Sequence, residues 1–166
     1  MKLSTKELVT FGMLGGVMYV SKIFMEFLPN IHIIGALIVS LTVVYRYKAL
    51  YPLYVFVLLE GLFAGFGTWW IPYLYIWLPL WGVTMLLPKN MNKKIAPFVY
   101  CLVSGLHGLL YGTLYAPFQA LAFGLSFKAT VAWIIAGFPW DITHALGNVA
   151  TGILIVPLIS LFKKIS

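Results

Sequence analysis

Two titratable side chains interrupt apolar stretches of the sequence. Glu60 precedes Gly61 in one stretch, and His107 lies between Gly105 and Gly108 in another. Inside a bilayer such a charge costs about 2.5 to 3.5 kcal/mol on insertion scales, so these residues usually face a bundle interior or a hydrated cavity. Glu60 and His107 therefore predict either a structural pair or part of a ligand site. A proton relay in a secondary transporter is the third interpretation.

Aromatic residues recur with helical spacing in the middle of the sequence. Trp70, Tyr73, Trp77 and Trp81 are three or four residues apart, so they share one face of a helix. Trp69 adds aromatic area beside them. An interfacial belt or ordinary helix packing explains such a pattern. A stripe of roughly three turns is deeper than a belt, however, and a cavity wall that stacks an aromatic ligand accounts for its depth.

A third polar group follows a proline near the end of the sequence. Asp141, His144 and Asn148 are spaced i, i+3 and i+7 behind Pro139 and Trp140, which places them on one helical face. If the last helix begins at the proline, Asp141 caps it while His144 and Asn148 bond neighbouring helices. The alternative is that the group lines the mouth of a pocket. These residues provide too few strong ligands for a metal, so no metal site is predicted.

The first apolar stretch contains two spacings that predict contacts. Lys22 and Glu26 are four residues apart, which favours a local ion pair near the external end of the helix. The motif Gly12-x-x-x-Gly16 places two small residues on one face of the cytoplasmic half. Small residues let helix backbones approach closely in lipid. We therefore interpret Gly12 and Gly16 as a surface on which a partner docks.

The composition identifies the solvent that surrounds these residues. The chain has 166 residues, of which 62% are hydrophobic and 9% are charged. Soluble domains carry about 25% charged residues, so this chain lacks the polar surface of a water-soluble fold. At about 20 apolar residues a crossing, the length leaves room for roughly six helices. We predict an all-α integral membrane protein, with residues 1–166 forming a single six-transmembrane-helix bundle.

Apolar stretches and basic residues define the predicted topology. The stretches cover residues 8–28, 33–45, 50–66, 69–87 and 96–115, and a sixth begins near Asp141 and ends before Lys163. Residues 116–139 are predicted to be irregular. Nine of the 11 basic residues fall on one side if both termini are cytoplasmic. Basic loops stay in the cytoplasm, so the net charge of +7 indicates orientation and not a nucleic-acid partner.

Motifs for self-contained chemistry are absent from the sequence. It has no G-x-x-x-x-G-K-[ST] phosphate loop, no H-E-x-x-H zinc helix and no G-x-S-x-G nucleophile elbow. We therefore predict that the chain is not an enzyme. Any uphill transport must draw on a partner or on an ion gradient.

Together these features resemble a known family, the substrate-binding S components of energy-coupling factor (ECF) vitamin transporters. The resemblance covers essentially the whole chain. It rests on the length, the six predicted crossings, Gly12-x-x-x-Gly16, the sequence Leu28-Pro29-Asn30-Ile31-His32 and the run from Phe138 to Asn148. The family commonly has alanines where this chain has Gly12 and Gly16, and glycine permits the same close approach.

The resemblance implies a binding subunit of a larger importer. Such subunits capture a micronutrient from outside and then associate with a transmembrane coupling subunit and two cytoplasmic ATPases, which use ATP. It implies a multi-pass protein of the bacterial plasma membrane that holds no cofactor of its own. General likeness favours cobalamin as the ligand, with a smaller aromatic vitamin of the thiamine or riboflavin type as the alternative. Two other hypotheses are a stand-alone proton-coupled transporter and a membrane enzyme that acts on a lipid or quinone through His107, His144 and Asp141.

The residues above form the predicted sites, to which no catalytic residue belongs. The predicted substrate-binding residues are Glu60, Trp69, Trp70, Tyr73, Trp77, His107, Trp140, Asp141, His144 and Asn148. The predicted docking residues are Gly12 and Gly16.

Overall fold

The computed structural model describes residues 3–166, which are helical and contain no strand. The α-helices of this part are α1 (Thr5–Phe24), α2 (Ile34–Tyr45), α3 (Leu50–Ala64), α4 (Leu78–Leu86), α5 (Ala96–Leu109), α6 (Tyr111–Phe123), α7 (Phe127–Gly152) and α8 (Ile155–Ile165). Two 3-10 helices, Arg46–Ala49 and Thr68–Leu74, lie between them. The prediction of an all-α chain is confirmed.

Several helices are long and apolar enough to cross a membrane. Thr5–Phe24, the continuous helical run Ile34–Ala64 and Ala96–Phe123 meet this condition individually. Helices α7 and α8 meet it together, although they are bent by 56° at the short break between them. Residues 3–166 therefore contain three candidate spans, or four if the bent pair is one span. The apolar stretches alone predicted six.

Helix α2 occupies the centre of the fold. Every residue from Ile34 to Thr42 is buried, and α2 packs against α4, α5, α7 and α8. Around it, α1 packs on α3 and α5 packs on α7. A helix that is apolar on all sides is buried inside a bundle, and the sequence of α2 meets that description.

The surface of the fold is apolar, as expected for contact with lipid. Phe24, Leu121 and Phe127 are 75%, 86% and 86% exposed. Two buried hydroxyl groups bond within their own helices: Ser40 and Thr84 each donate to the carbonyl oxygen four residues earlier, at 2.7 Å. Extensive exposed apolar surface marks a site of membrane or protein contact. The structure thus supports a membrane protein.

The aromatic stretch 69–87 is not the single helix that its spacing predicted. Thr68–Leu74 is a 3-10 helix that contains Pro72, and α4 begins only at Leu78. Proline lacks the N–H group that a continuous helix requires. Pro72 accordingly lies in the 3-10 helix, where α-helical hydrogen bonding is interrupted, and Pro79 lies in the first turn of α4, where it begins. The prediction of one aromatic face along this stretch is wrong.

The region 116–139 is helical where an irregular segment was predicted. Helix α6 continues to Phe123 and ends at Gly124, whose φ of 62° is in the left-handed region that glycine adopts readily. Ser126 then caps α7 by accepting a hydrogen bond from the Ala129 amide at 3.3 Å. The helix that contains Asp141, α7, therefore begins well before this residue, and Pro139 lies inside it.

Candidate functional site

An ion pair joins α1 to α3 next to a cavity. Lys22 Nζ lies 2.5 Å from Glu60 Oε2, and the side chains are 22% and 1% exposed. A buried carboxylate requires a counter-charge because desolvation opposes its ionised form. The packing of α1 on α3 supplies that charge from Lys22. The predicted local pair between Lys22 and Glu26 is wrong, because Lys22 reaches across the helix interface instead.

Glu60 and His107 have separate partners, so the structural pair considered from the sequence is not formed. His107 Nε2 lies 2.8 Å from the carbonyl oxygen of Ile76, whereas Glu60 bonds Lys22. Glu60 Oε1 and His107 Nδ1 are buried and have no hydrogen-bond partner among residues 3–166. Both side chains thus retain unused hydrogen-bonding capacity in the interior.

Histidine and aromatic rings form a connected, largely buried cluster. The His144 ring is 4.7 Å from that of His32 and 4.5 Å from that of Tyr111, measured between centroids. Trp77 stacks on His107 at 5.7 Å and meets the edge of His32 at 6.1 Å. This cluster therefore brings the segment before α2 together with α5, α6 and α7, all of which are distant from that segment in the sequence.

A cavity of about 150 Å³ opens beside this cluster. Residues of the segment 25–32 form part of its lining, and the others are Lys22, Tyr73, Tyr111 and His144. His32 Nδ1 and His144 Nε2 are buried and have no hydrogen-bond partner in the described part of the chain. Lys22 Nζ lies 5.7 Å from the centre of the Tyr73 ring, within the range of a cation–π contact. The cavity thus combines aromatic surface with unused polar atoms.

The segment between α1 and α2 holds His32 in a neutral state. Asn30 turns the backbone with a φ of 59°, a conformation that asparagine tolerates better than most residues. Burial lowers the pKa of His32 from 6.5 to about 4, and the positive charge of Lys22 adds to this effect. A neutral imidazole has one donor and one acceptor nitrogen. His32 is therefore able to bond a ligand without carrying a charge.

The predicted aromatic residues have different environments. Tyr73 lines the cavity, and Trp77 is 2% exposed within the ring cluster. Trp70 donates from Nε1 to the carbonyl oxygen of Val57 at 2.7 Å, which fixes it to α3. Trp69 meets the Tyr73 ring edge-on at 5.5 Å, one layer further from the cavity. The structure therefore brings Tyr73 and Trp77, but not Trp69 and Trp70, to the candidate site.

Asp141 caps a neighbouring helix and not its own. Its Oδ1 accepts a hydrogen bond from the Gly112 amide at 2.9 Å. Gly112 lies in the first turn of α6, where amides have no partner within the helix. A Cβ atom at Gly112 would approach Asp141 Oδ2 to 2.6 Å, so glycine permits this contact. The interpretation of Asp141 as the cap of its own helix is wrong, because Asp141 lies in the middle of α7.

The remaining predicted residues of α7 lie away from the cavity lining. Asn148 donates from Nδ2 to the carbonyl oxygen of Ser104 at 2.9 Å and so ties α7 to α5. Trp140 is 60% exposed on the surface of the helix. Of the group Trp140, Asp141, His144 and Asn148, the structure therefore brings only His144 to the cavity.

Nine of the cavity-lining residues were not among those predicted from the sequence, and Lys22, His32 and Tyr111 are the three on which the site depends most. Lys22 carries the same signal as Glu60, a charge within an apolar helix, but its spacing to Glu26 favoured a local explanation. His32 follows Pro29 and Asn30, a combination typical of a connecting segment. No sequence signal distinguishes Tyr111, because its approach to His144 depends on the break between α5 and α6.

The two predicted docking glycines lie on a free face of α1. A Cβ atom at Gly12 or Gly16 would meet no atom within 4 Å. At Gly15, one position away, it would meet Val55 and the carbonyl oxygen of Pro52. Gly15 therefore serves the contact between α1 and α3, while Gly12 and Gly16 are open to the surroundings of the chain.

Comparisons with known proteins identify no relative of the chain. No protein-family model, curated protein or solved structure matches it. Residues 3–166 also contain no group of three or more His, Cys, Asp or Glu side chains that would hold a metal ion.

Proposed function

We propose that the chain is a membrane-embedded binding protein for a small aromatic nutrient, the substrate-binding S component of an ECF-type importer. The observation that carries this proposal is the pair of buried ring nitrogens without partners, His32 Nδ1 and His144 Nε2, at the cavity. An unbonded buried polar group costs about 1 to 3 kcal/mol. A ligand that bonds both nitrogens offsets that cost, which makes its recognition specific.

The rings around the cavity favour a planar ligand. Tyr73 and Tyr111 line it, and Trp77 lies behind them at 5.6 and 5.9 Å from their respective centroids. Aromatic pairs contribute about 0.5 to 1.5 kcal/mol beyond the burial of apolar area. A heteroaromatic ring that accepts or donates hydrogen bonds satisfies both the aromatic rings and the two histidines.

The size of the cavity favours a smaller vitamin over cobalamin. Pockets for drug-sized ligands have volumes of roughly 300 to 1,000 Å³, whereas this cavity measures about 150 Å³. A ligand of the thiamine or riboflavin type requires less rearrangement of the segment 25–32 than a corrinoid does. We therefore prefer the smaller aromatic vitamin as the ligand.

Six crossings with both termini in the cytoplasm would place the cavity on the external side of a bacterial plasma membrane, since basic residues favour the inner side. The open face at Gly12 and Gly16 would receive the transmembrane coupling subunit. The two cytoplasmic ATPases would supply the work of import, because the chain has no phosphate loop of its own.

Equilibrium titration of the purified chain with a vitamin panel tests the function. We expect saturable binding of one heteroaromatic vitamin, and we expect His144→Ala to weaken it by about 10- to 100-fold through the loss of one buried hydrogen bond and ring contact. Trp140→Phe is the control, because Trp140 is exposed on the same helix. Equal loss in both variants, or no saturable binding of any vitamin, would contradict the proposal.

Reconstitution separates this function from that of a proton-coupled transporter. Vesicles that contain only this chain should bind the vitamin without accumulating it when a pH gradient is imposed. Accumulation that disappears in Glu60→Gln would favour the secondary transporter instead.

A further inference from the structure

A second recess, which we call the lysine groove, lies between α2, α5 and α8. It has a volume of about 480 Å³. Lys89, Lys93 and Lys163 contribute its charge, while Val43, Val156 and Ile159 are among its apolar lining residues. The groove therefore presents positive charge and an apolar surface side by side.

The positive charge of the lysine groove is not neutralised within the protein. The chain has four acidic residues, and none of them lines the groove. These carboxylates lie elsewhere: Glu7 beside Lys48, Glu60 beside Lys22, Asp141 beside Gly112 and Glu26 at the ligand cavity. Three cations without counter-charges attract an anion from the surroundings.

The groove lies at the opposite end of the bundle from the ligand cavity. Lys6 Nζ, near the start of α1, is 3.4 Å from the carbonyl oxygen of Ser166, so the end of α8 lies beside the start of α1. The cavity lies at the other end of α1, at Lys22. A helix of 20 residues spans about 30 Å, close to the thickness of the hydrocarbon core. The lysines are therefore at the depth of lipid headgroups.

From these observations we infer that the lysine groove binds an anionic phospholipid. The phosphate would contact Lys89, Lys93 and Lys163, and one acyl chain would lie along the apolar part of the groove. Basic pockets at the cytoplasmic ends of membrane helices bind such headgroups. A free anion would use the lysines alone, whereas a phospholipid also covers Val156, which is 39% exposed. This inference is independent of the vitamin and of the coupling subunit.

Native mass spectrometry of the full chain tests the inference. The protein is equilibrated with equal amounts of palmitoyl-oleoyl phosphatidylglycerol and phosphatidylcholine, and the retained lipids are counted. We expect wild-type protein to retain phosphatidylglycerol in preference. Lys93→Gln with Lys163→Gln should reduce that preference by roughly 25-fold, since each lysine near the membrane surface contributes a factor of about five.

The sequence offers a matched control with the same change in charge. Lys94 and Lys164 adjoin the two groove lysines but do not line the groove. Lys94→Gln with Lys164→Gln should keep the preference of the wild type. Equal loss in the two double variants would mean general attraction to a basic surface and would overturn the site.

Two further measurements distinguish other ligands of the groove. Inorganic phosphate at millimolar concentration should not displace the retained lipid, and complete displacement would indicate a phosphate site instead. If the groove double variant keeps the lipid preference but loses binding to the coupling subunit, the groove is a protein interface and the inference is wrong.

Unfolding in phosphatidylcholine alone should be the same for both double variants. If it differs, the single variants Lys93→Gln and Lys94→Gln replace them.

Discussion

Lys22 lines the cavity of the candidate site and bonds Glu60 of α3 at 2.5 Å. One charged group therefore belongs both to the candidate site and to the interface between α1 and α3. A ligand that attracts Lys22 or Glu60 would change the strength of this interface. The arrangement thus offers a physical connection between capture of a ligand and the packing of α1, the helix that carries Gly12 and Gly16.

Removing the carboxylate of this pair should destabilise the fold. Glu60→Gln leaves the partly buried Lys22 ammonium without its counter-charge, and breaking a buried pair costs about 3 to 5 kcal/mol. Because Lys22 is 22% exposed, we expect about 3 kcal/mol, measured as the free energy of unfolding in mixed micelles. Glu26→Gln removes the same charge from an exposed position and should change stability by less than about 0.5 kcal/mol. Equal effects would show that the ion pair is not structural.

The contact between Asp141 and Gly112 should affect stability more than ligand affinity. Gly112→Ala would bring a Cβ atom to 2.6 Å from Asp141 Oδ2, and such overpacking costs about 1 to 3 kcal/mol. Asp141→Asn retains an acceptor oxygen and should cost less. Thermal unfolding and vitamin titration of both variants check this expectation. A large loss of affinity in a stable Asp141→Asn protein would contradict this expectation and would mean that Asp141 binds the ligand.

Neutral His32 should make stability dependent on pH. Its pKa is about 4 in the folded chain and 6.5 without the fold, so the unfolded chain binds more protons between these values. The stabilisation is complete above about pH 6.5 and is lost as pH falls toward 4, with an upper limit of about 3 to 4 kcal/mol. Unfolding measured between pH 4 and 7.5 should show this slope, and His32→Gln should reduce it. An unchanged slope in the variant would mean that other groups titrate.

The two faces of α1 should respond differently to a large side chain. Gly15→Leu should destabilise the chain, because its Cβ atom alone would lie 2.9 Å from the Pro52 carbonyl oxygen. Gly12→Leu has no neighbour within 4 Å and should leave folding and vitamin binding unchanged. If the face docks a coupling subunit, co-purification of that subunit should fail for Gly12→Leu. Normal assembly of this variant would contradict the proposed docking face.

Sequence periodicity predicted local helical order better than it predicted partners. The spacing of Asp141, His144 and Asn148 correctly placed them on one helix, α7. Their roles depend on what faces each of them. Asp141 accepts a hydrogen bond from the start of α6, Asn148 donates one to α5, and His144 reaches the cavity. Such assignments depend on tertiary packing, which spacing within one segment does not encode.

The predictions made from charges and prolines were also limited because tertiary packing decides the partners of these residues. The cost of an isolated charge in lipid correctly singled out Glu60 as buried, although its partner is Lys22 and not His107. The choice of Glu26 for Lys22 failed because i, i+4 spacing describes an isolated helix, whereas α3 provides a buried carboxylate. Pro139 was interpreted as the start of a helix, yet it lies inside α7. Neighbouring elements can support a proline-containing membrane helix.

In the proposed function a ligand lies against His32 and His144, and ring-nitrogen NMR tests this placement most directly. The chain has three histidines, so a sample labelled with ¹⁵N only at histidine gives a simple spectrum. Addition of the vitamin that binds saturably should shift the ring signals of His32 and His144 strongly, and that of His107, which already bonds the Ile76 carbonyl oxygen, much less. Saturable binding that leaves the signals of His32 and His144 unchanged would contradict the claim.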